Sequence, residues 1–224
     1  MAILYRAELR PTKLELVAGW LPTQPWFEGN TDAGLVSIAS FRFDDPEGEV
    51  GIETLLVRVG DGPVLQVPLT YRGAPLNGGD ASLIGTMQHS VLGQRWVYDA
   101  AGDPAYLAAL ATAALTGGSH ADQYIDTDGQ LILRAPTALV VGSRTNGVAQ
   151  TLASIESVSM RNEQRSTVVM AGLLRLVILR VLTPDGLPVH RASALAADDE
   201  ETGVLTGTWS GQLEPQPLAL VLAF

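Results

Sequence analysis

The sequence predicts an α+β fold of curved antiparallel β-sheets with a few packed helices. Three observations carry this expectation. From Leu35 onward, short runs rich in Val, Ile, Leu and Thr recur between Gly, Asp and Pro, the pattern of strands and their turns. Helix start and stop signals, in contrast, gather at two places only. Finally, 46% of the 224 residues are hydrophobic against 17% charged, which is enough apolar material for a substantial core.

The first element follows from Pro11-Thr12-Lys13-Leu14-Glu15. Thr12 is an N-cap with Glu15 three residues on, so each side chain can satisfy an orphan N–H of the first turn. A short helix through Trp20 is the result, stopped by Gly19 and Pro22. The clearest hairpin joins Ile52–Val59 to Val64–Tyr71 through Gly60-Asp61-Gly62-Pro63, whose glycines supply the positive φ of the reversal. A long helix runs from Asp103 as N-cap and Pro104 at the first position to a stop at Gly117 or Gly118. No charge lies between Asp103 and Gly117, so this helix must be covered on two sides, and it is expected to lie across the first sheet.

Further strands are expected at 131–133, 138–141, 155–160, 166–170, 174–182, 203–209 and 218–222. The polar stretch from Gly118 to Gly129 divides two packed halves, 1–120 and 121–224, and Asp198-Asp199-Glu200-Glu201 reads as a solvated loop.

Charge and composition exclude several functions. A net charge of −10 provides no clustered cations to displace counterions from phosphate backbones or anionic lipid, so neither nucleic acid nor membrane is an expected partner. No apolar run is long enough to span a bilayer, and the N-terminus lacks signal-peptide patterning, so a cytoplasmic protein is expected. With no Cys, thiolate chemistry and Cys-based metal sites are ruled out. Lys13 is the single lysine, which removes a Gly-Lys-Ser/Thr phosphate loop, and it reads as a solvated side chain.

His89, His120 and His190 stand apart, with none of the spacings of a metal pair. His89 and Ser90, with Asp99 further on, are the residue types of a hydrolase triad, but neighbours on a strand face opposite ways. Asp44, Asp45, Glu47 and Glu49 share a Pro/Gly loop and are expected to face water. Among the few aromatics, Trp20, Trp26, Phe27 and Trp96 form a candidate cluster. It would serve either as a packing anchor or as a platform stacking a sugar ring.

Four stretches in order resemble the N-terminal part of actinobacterial maltokinases. Trp20-Leu21-Pro22-Thr23-Gln24-Pro25-Trp26-Phe27-Glu28-Gly29 is similar to the start of their cap, and Leu55 to Tyr71 to the hairpin that follows. Val97-Tyr98-Asp99-Ala100-Ala101-Gly102-Asp103-Pro104 resembles the segment leading into the cap's apolar helix. Glu163-Gln164-Arg165-Ser166-Thr167, the strand to Leu182 and the Gly186-Leu187-Pro188 turn resemble the glutamine loop, nucleotide strand and turn of the kinase N-lobe. The resemblance implies a cap followed by an N-lobe-like half.

It also implies departures from a kinase. The position of the ATP-binding lysine falls at Val177 or Ile178, and the glutamate of the next helix at Arg191. Residues 189–224 are too few for a lobe carrying the base and metal-binding aspartates that phosphoryl transfer needs. The expectation is therefore a pseudokinase-like, non-catalytic accessory or regulatory protein of α-glucan, trehalose or aminosugar phosphorylation. It would need no cofactor and would work through a protein partner, such as a sugar kinase or glucan enzyme, or as a homo-oligomer. The alternatives are a sugar- or small-molecule-binding module and an enzyme with an unrecognised site.

Overall fold

The computed structural model describes residues 2–4, 7–45, 47–127, 130–143, 155, 157–183 and 202–224. Arg191, the turn at 186–188 and the acidic run at 198–201 lie outside the described residues.

Local chemistry places the first elements. Strands β1 (Ala2–Leu4) and β2 (Leu9–Arg10) precede helix α1 (Lys13–Trp20). Its capping box forms as expected, with Thr12 accepting from the Glu15 N–H and the Glu15 carboxylate accepting from the Thr12 N–H at 2.7 Å. There follow β3 (Leu35–Phe43), β4 (Gly51–Val59), β5 (Val64–Arg72), β6 (Leu83–His89) and β7 (Gly93–Asp99). The β4–β5 hairpin turns at Gly60 with φ of 51°, a left-handed conformation that glycine takes without steric cost.

Helix α2 (Pro104–Thr116) starts at Asp103, whose carboxylate accepts from the Ala105 N–H, and ends at Gly117 in the left-handed conformation. Beyond it come β8 (Gln123–Thr127), β9 (Gln130–Arg134), β10 (Ala138–Gly142), β11 (Val158–Asn162), β12 (Ser166–Ala171) and β13 (Leu174–Leu179). The last strands are β14 (Val181–Leu182), β15 (Thr202–Trp209) and β16 (Gln212–Ala223).

The protein is predominantly β, with two α-helices among the described residues. One sheet runs β2-β6-β7-β5-β4-β3, with β14 also paired to β5. Irregular register at Ser37/Ala39 and Leu83/Gly85 curls it toward a half-barrel. A second sheet runs β10-β15-β16-β13-β12-β11, and all its pairs are antiparallel. A small third sheet joins β8 to β9 antiparallel and to β1 in parallel. Thus the polar stretch 118–129 contains a strand, and its partner β1 is a parallel, long-range one that local periodicity cannot announce.

The strand expected at 174–182 is broken at Arg180: β13 belongs to the second sheet and β14 to the first. A strand can change sheets only where its hydrogen-bonding partners change. Here the Arg180 N–H donates to the Arg165 carbonyl, while its own carbonyl accepts from the Gln66 N–H, both at 2.8 Å.

Helix α2 is buried on two sides, but not where the sequence places it. It packs chiefly on β10, β15 and β16 of the second sheet, with β3 of the first on its flank. The reason is visible in two glycines. A Cβ at Gly142 would lie 1.9 Å from the Ala113 carbonyl oxygen, and one at Gly203 would lie 2.5 Å from that of Ala114. These strands approach the helix backbone more closely than any side chain permits. Leu107, Leu110 and Ala114 then share one core with Phe41, Ile52 and Leu56 from the first sheet and Leu176, Ile178 and Val221 from the second.

Gly142→Ala should cost stability at the upper end of the roughly 1–3 kcal/mol of overpacked cores, read as a lower melting temperature. Ala113→Glu should cost on the order of 3–5 kcal/mol, because the new carboxylate would be buried without a partner. Thr112→Glu, on the exposed side of the same helix, should leave the melting temperature close to that of the parent.

Candidate functional site

Two polar centres are built into this apolar frame. In the first, Glu53 on β4 is buried although its neighbours in that strand, Ile52, Thr54, Leu55, Leu56 and Val57, are aliphatic or Thr. Arg42 stands directly opposite it on β3, Tyr71 projects from the neighbouring β5, and Lys13 reaches over from the first turn of α1. All three converge on one carboxylate oxygen. Lys13 Nζ lies 2.5 Å from Glu53 Oε2, Arg42 Nη2 3.3 Å, and the Tyr71 hydroxyl donates at 2.9 Å. Burial alone would raise the Glu53 pKa, but the charges of Arg42 and Lys13 and the hydrogen bonds from Lys13 and Tyr71 outweigh it. The carboxyl is held at about 2. Burial and the adjacent Glu53 charge push the Tyr71 hydroxyl well above its usual value. Lys13 is thus no solvated side chain: it is 27% exposed and sits 5.3 Å from the Tyr71 ring centroid.

This centre borders a pocket of about 410 Å³ whose wall includes Lys13, Arg42, Tyr71, His89 and Arg95. The Nδ1 of His89 accepts from the Val91 and Leu92 N–H groups. Burial and the charges of Arg95 and Lys13 lower its pKa, which keeps the ring neutral near pH 7.

The second centre is Arg180, which is fully buried. Its Nη2 donates to both Asp99 oxygens at 2.8 and 2.7 Å, and its Nε donates to Thr167 Oγ1 at 2.8 Å. Its guanidinium lies 5.2 Å from the centroid of the Trp26 ring. Close by, the Gln66 side chain donates to the carbonyls of Leu179 and Leu218, adding a further tie between β5 and the second sheet. Asp103, also buried, receives a two-pronged Arg72 contact at 2.7 Å while capping α2, and those hydrogen bonds raise the Arg72 pKa.

The aromatic residues singled out from sequence divide. Trp26 is buried and meets Trp20 edge-on at 5.7 Å, while Phe27 packs partly buried on the same cluster. Trp26 and Phe27 also line an open cleft of about 610 Å³ with Gln164, Arg165, Val181 and Thr183. Trp96 lies on β7 opposite Arg72 and Thr86, outside that cluster. Val177 pairs with Val168 and packs against Val204 and Leu220, and Ile178 lies in the main core. The triad residue types stay apart: Ser90 accepts from the Glu8 N–H, and Asp99 is spent on Arg180. Asp45, expected in water, accepts from the N–H groups of Glu47, Glu49 and Val50 and so shapes its own loop.

Sequence reasoning missed Glu53 and Arg180. Each carried a signal: a lone charge inside an aliphatic run, Ile52-Glu53-Thr54-Leu55 and Leu179-Arg180-Val181, implies a buried partner of opposite sign.

Residues 20–103 match the family model of the maltokinase N-terminal cap domain, so this segment is cap-like. It contains Arg42, Glu53, Tyr71, Trp26 and Asp99, whereas Lys13 and Arg180 come from outside it. No curated protein matches the chain.

Arg180→Met should cost about 3–5 kcal/mol by leaving Asp99 buried and uncompensated, and adding Asp99→Asn should recover part of that loss in a thermal melt. The acid limb tests Glu53. Its folded pKa lies below the unfolded value of 4.5, so its contribution is complete above pH 4.5 and is lost as pH falls toward 2. That contribution is on the order of 3 kcal/mol. Glu53→Gln should be less stable at pH 7 and lose less stability than the parent between pH 5 and 2.5.

Proposed function

We propose that the chain is a cap-type accessory module of sugar phosphorylation that works through protein contact rather than by turning over a substrate. The observation that carries this reading is the use made of its buried carboxylates. Among the described residues these are Glu53, Asp99 and Asp103, and each is closed by a cation: Lys13 with Arg42, Arg180, and Arg72. A general acid at neutral pH needs a raised pKa, and at Glu53 the charges of Arg42 and Lys13 lower it instead. The match at 20–103 supports a relation to sugar-kinase caps.

A surface suited to protein contact is present in β9. Among the described residues it is the unpaired edge of the small sheet, with Leu131, Ile132 and Leu133 exposed by 45%, 53% and 59%. Its free N–H and C=O groups can accept another strand. A second copy would fit, since antiparallel self-pairing about Ile132 sets Leu131 against Leu133 and Gln130 against Arg134, with no like charges opposed. A sugar kinase or glucan-active enzyme is the other partner this reading admits.

Tagged protein and its Ile132→Lys variant should be compared by co-purification from native cytoplasm and by light scattering. The parent should either retain a sugar kinase or glucan-active enzyme or run as a dimer, and the variant should lose that association at an unchanged melting temperature. ATP with Mg²⁺ should leave the melting temperature of the parent unmoved, because a ligand binding the native state at a hundredfold excess over Kd adds about 2.7 kcal/mol. A clear nucleotide-dependent rise would replace this reading with a kinase.

A further inference from the structure

We propose that the pocket beside Glu53 binds a small hydroxylated organic anion, a phosphate or carboxylate on a skeleton of about hexose size. The first ground is charge. Lys13 and Arg42 share the single Glu53 carboxylate, which leaves the pair net positive, and Arg95 adds a cation whose Nη2 donates to the neutral Leu92 carbonyl. Asp44, Asp45 and Glu49 line the same pocket, so the positive charge is confined to the part of the wall that Lys13, Arg42 and Arg95 form.

The second ground is placement. Lys13, Arg42 and Arg95 are partly buried, as is Asp45, whose carboxylate is turned to the backbone N–H groups of its own loop, while Asp44 and Glu49 on the same wall are exposed. The cations thus form the inner surface, where charge is weakly screened, and Asp44 and Glu49 form a rim in high-dielectric solvent. A rim of carboxylates accepts hydrogen bonds from hydroxyls, whereas the interior attracts an anionic head.

The third ground is incomplete compensation. The Nε atoms of Arg42 and Arg95 are buried with no hydrogen-bond partner among the described residues. Buried cationic donors left unpaired are costly, and a nearby negative charge offsets that cost. The volume of about 410 Å³ exceeds the needs of a bare ion and lies in the range of small-ligand sites. Phe43, Met87 and Leu92 add an apolar wall for a carbon skeleton.

The experiment is isothermal titration calorimetry of the full chain at low ionic strength with glucose 6-phosphate, gluconate and glucose. These probes share a six-carbon hydroxylated skeleton and differ in the charged group. At least one of the two anions should bind, and glucose should bind at least tenfold more weakly. Which anion is favoured distinguishes a phosphate site from a carboxylate site. Arg95→Gln, which leaves the Glu53 ion pairs in place, should weaken the bound anion at least tenfold while circular dichroism and melting temperature stay near the parent. Should that variant fail to fold, the salt dependence of the parent decides, since affinity must fall as ionic strength rises. No binding of either anion, equal binding of glucose, or anion binding indifferent to Arg95→Gln and to salt would overturn the proposal.

Discussion

The ion pair between Arg180 and Asp99 is the constraint on which the rest of the structure depends. It sits where the chain leaves the second sheet for the first, and it joins residues far apart in sequence in a region closed to water. The guanidinium meets Asp99 at the end of β7, Thr167 on β12 and the face of Trp26, so three segments are oriented by one side chain. A buried pair of this kind need not be worth more than an apolar substitute, but a lone partner is heavily penalised. Sheet arrangements that separate Arg180 from Asp99 are therefore disfavoured more strongly than mispacked aliphatic residues would be.

The cap-like segment is bound into the remainder of the chain by such polar ties. Arg180 and the carbonyls taken by Gln66 come from the second sheet and its end, and Lys13 comes from the helix preceding the matched residues. Apolar packing supplies the bulk of the driving force, because it scales with area and has no preferred direction. The ion pairs supply direction. Around Glu53 this has a chemical consequence, since the same cations that compensate the carboxylate also line a pocket.

Much of the local structure was legible from adjacent residues. The capping box at Thr12 and Glu15, the glycine turn between β4 and β5, and the Asp103-Pro104 start of α2 each depend on groups a few positions apart. The strand at β8 was hidden because its sequence is polar and its partner β1 lies more than a hundred residues earlier. The candidate site was less legible. Trp20, Trp26 and Phe27 do gather, but Trp96 is set apart by the register of β7, and Lys13 looked solvated because nothing near it in sequence identified Glu53 as its partner.

The sequence by itself determined the β-rich character of the protein, the start and end of both helices, the absence of thiol chemistry and the burial of an uncharged helix. These follow from short-range sterics, capping and composition, which the chain carries at every point. Tertiary structure alone decided that α2 rests on the second sheet, that the chain changes sheets at Arg180, and that Lys13, Arg42, Glu53 and Tyr71 form one cluster. The physical reason is that each outcome rests on contacts between distant segments. The clearance at Gly142 and Gly203, the register of β3 on β4, and the compensation of a buried charge exist only once those segments have met.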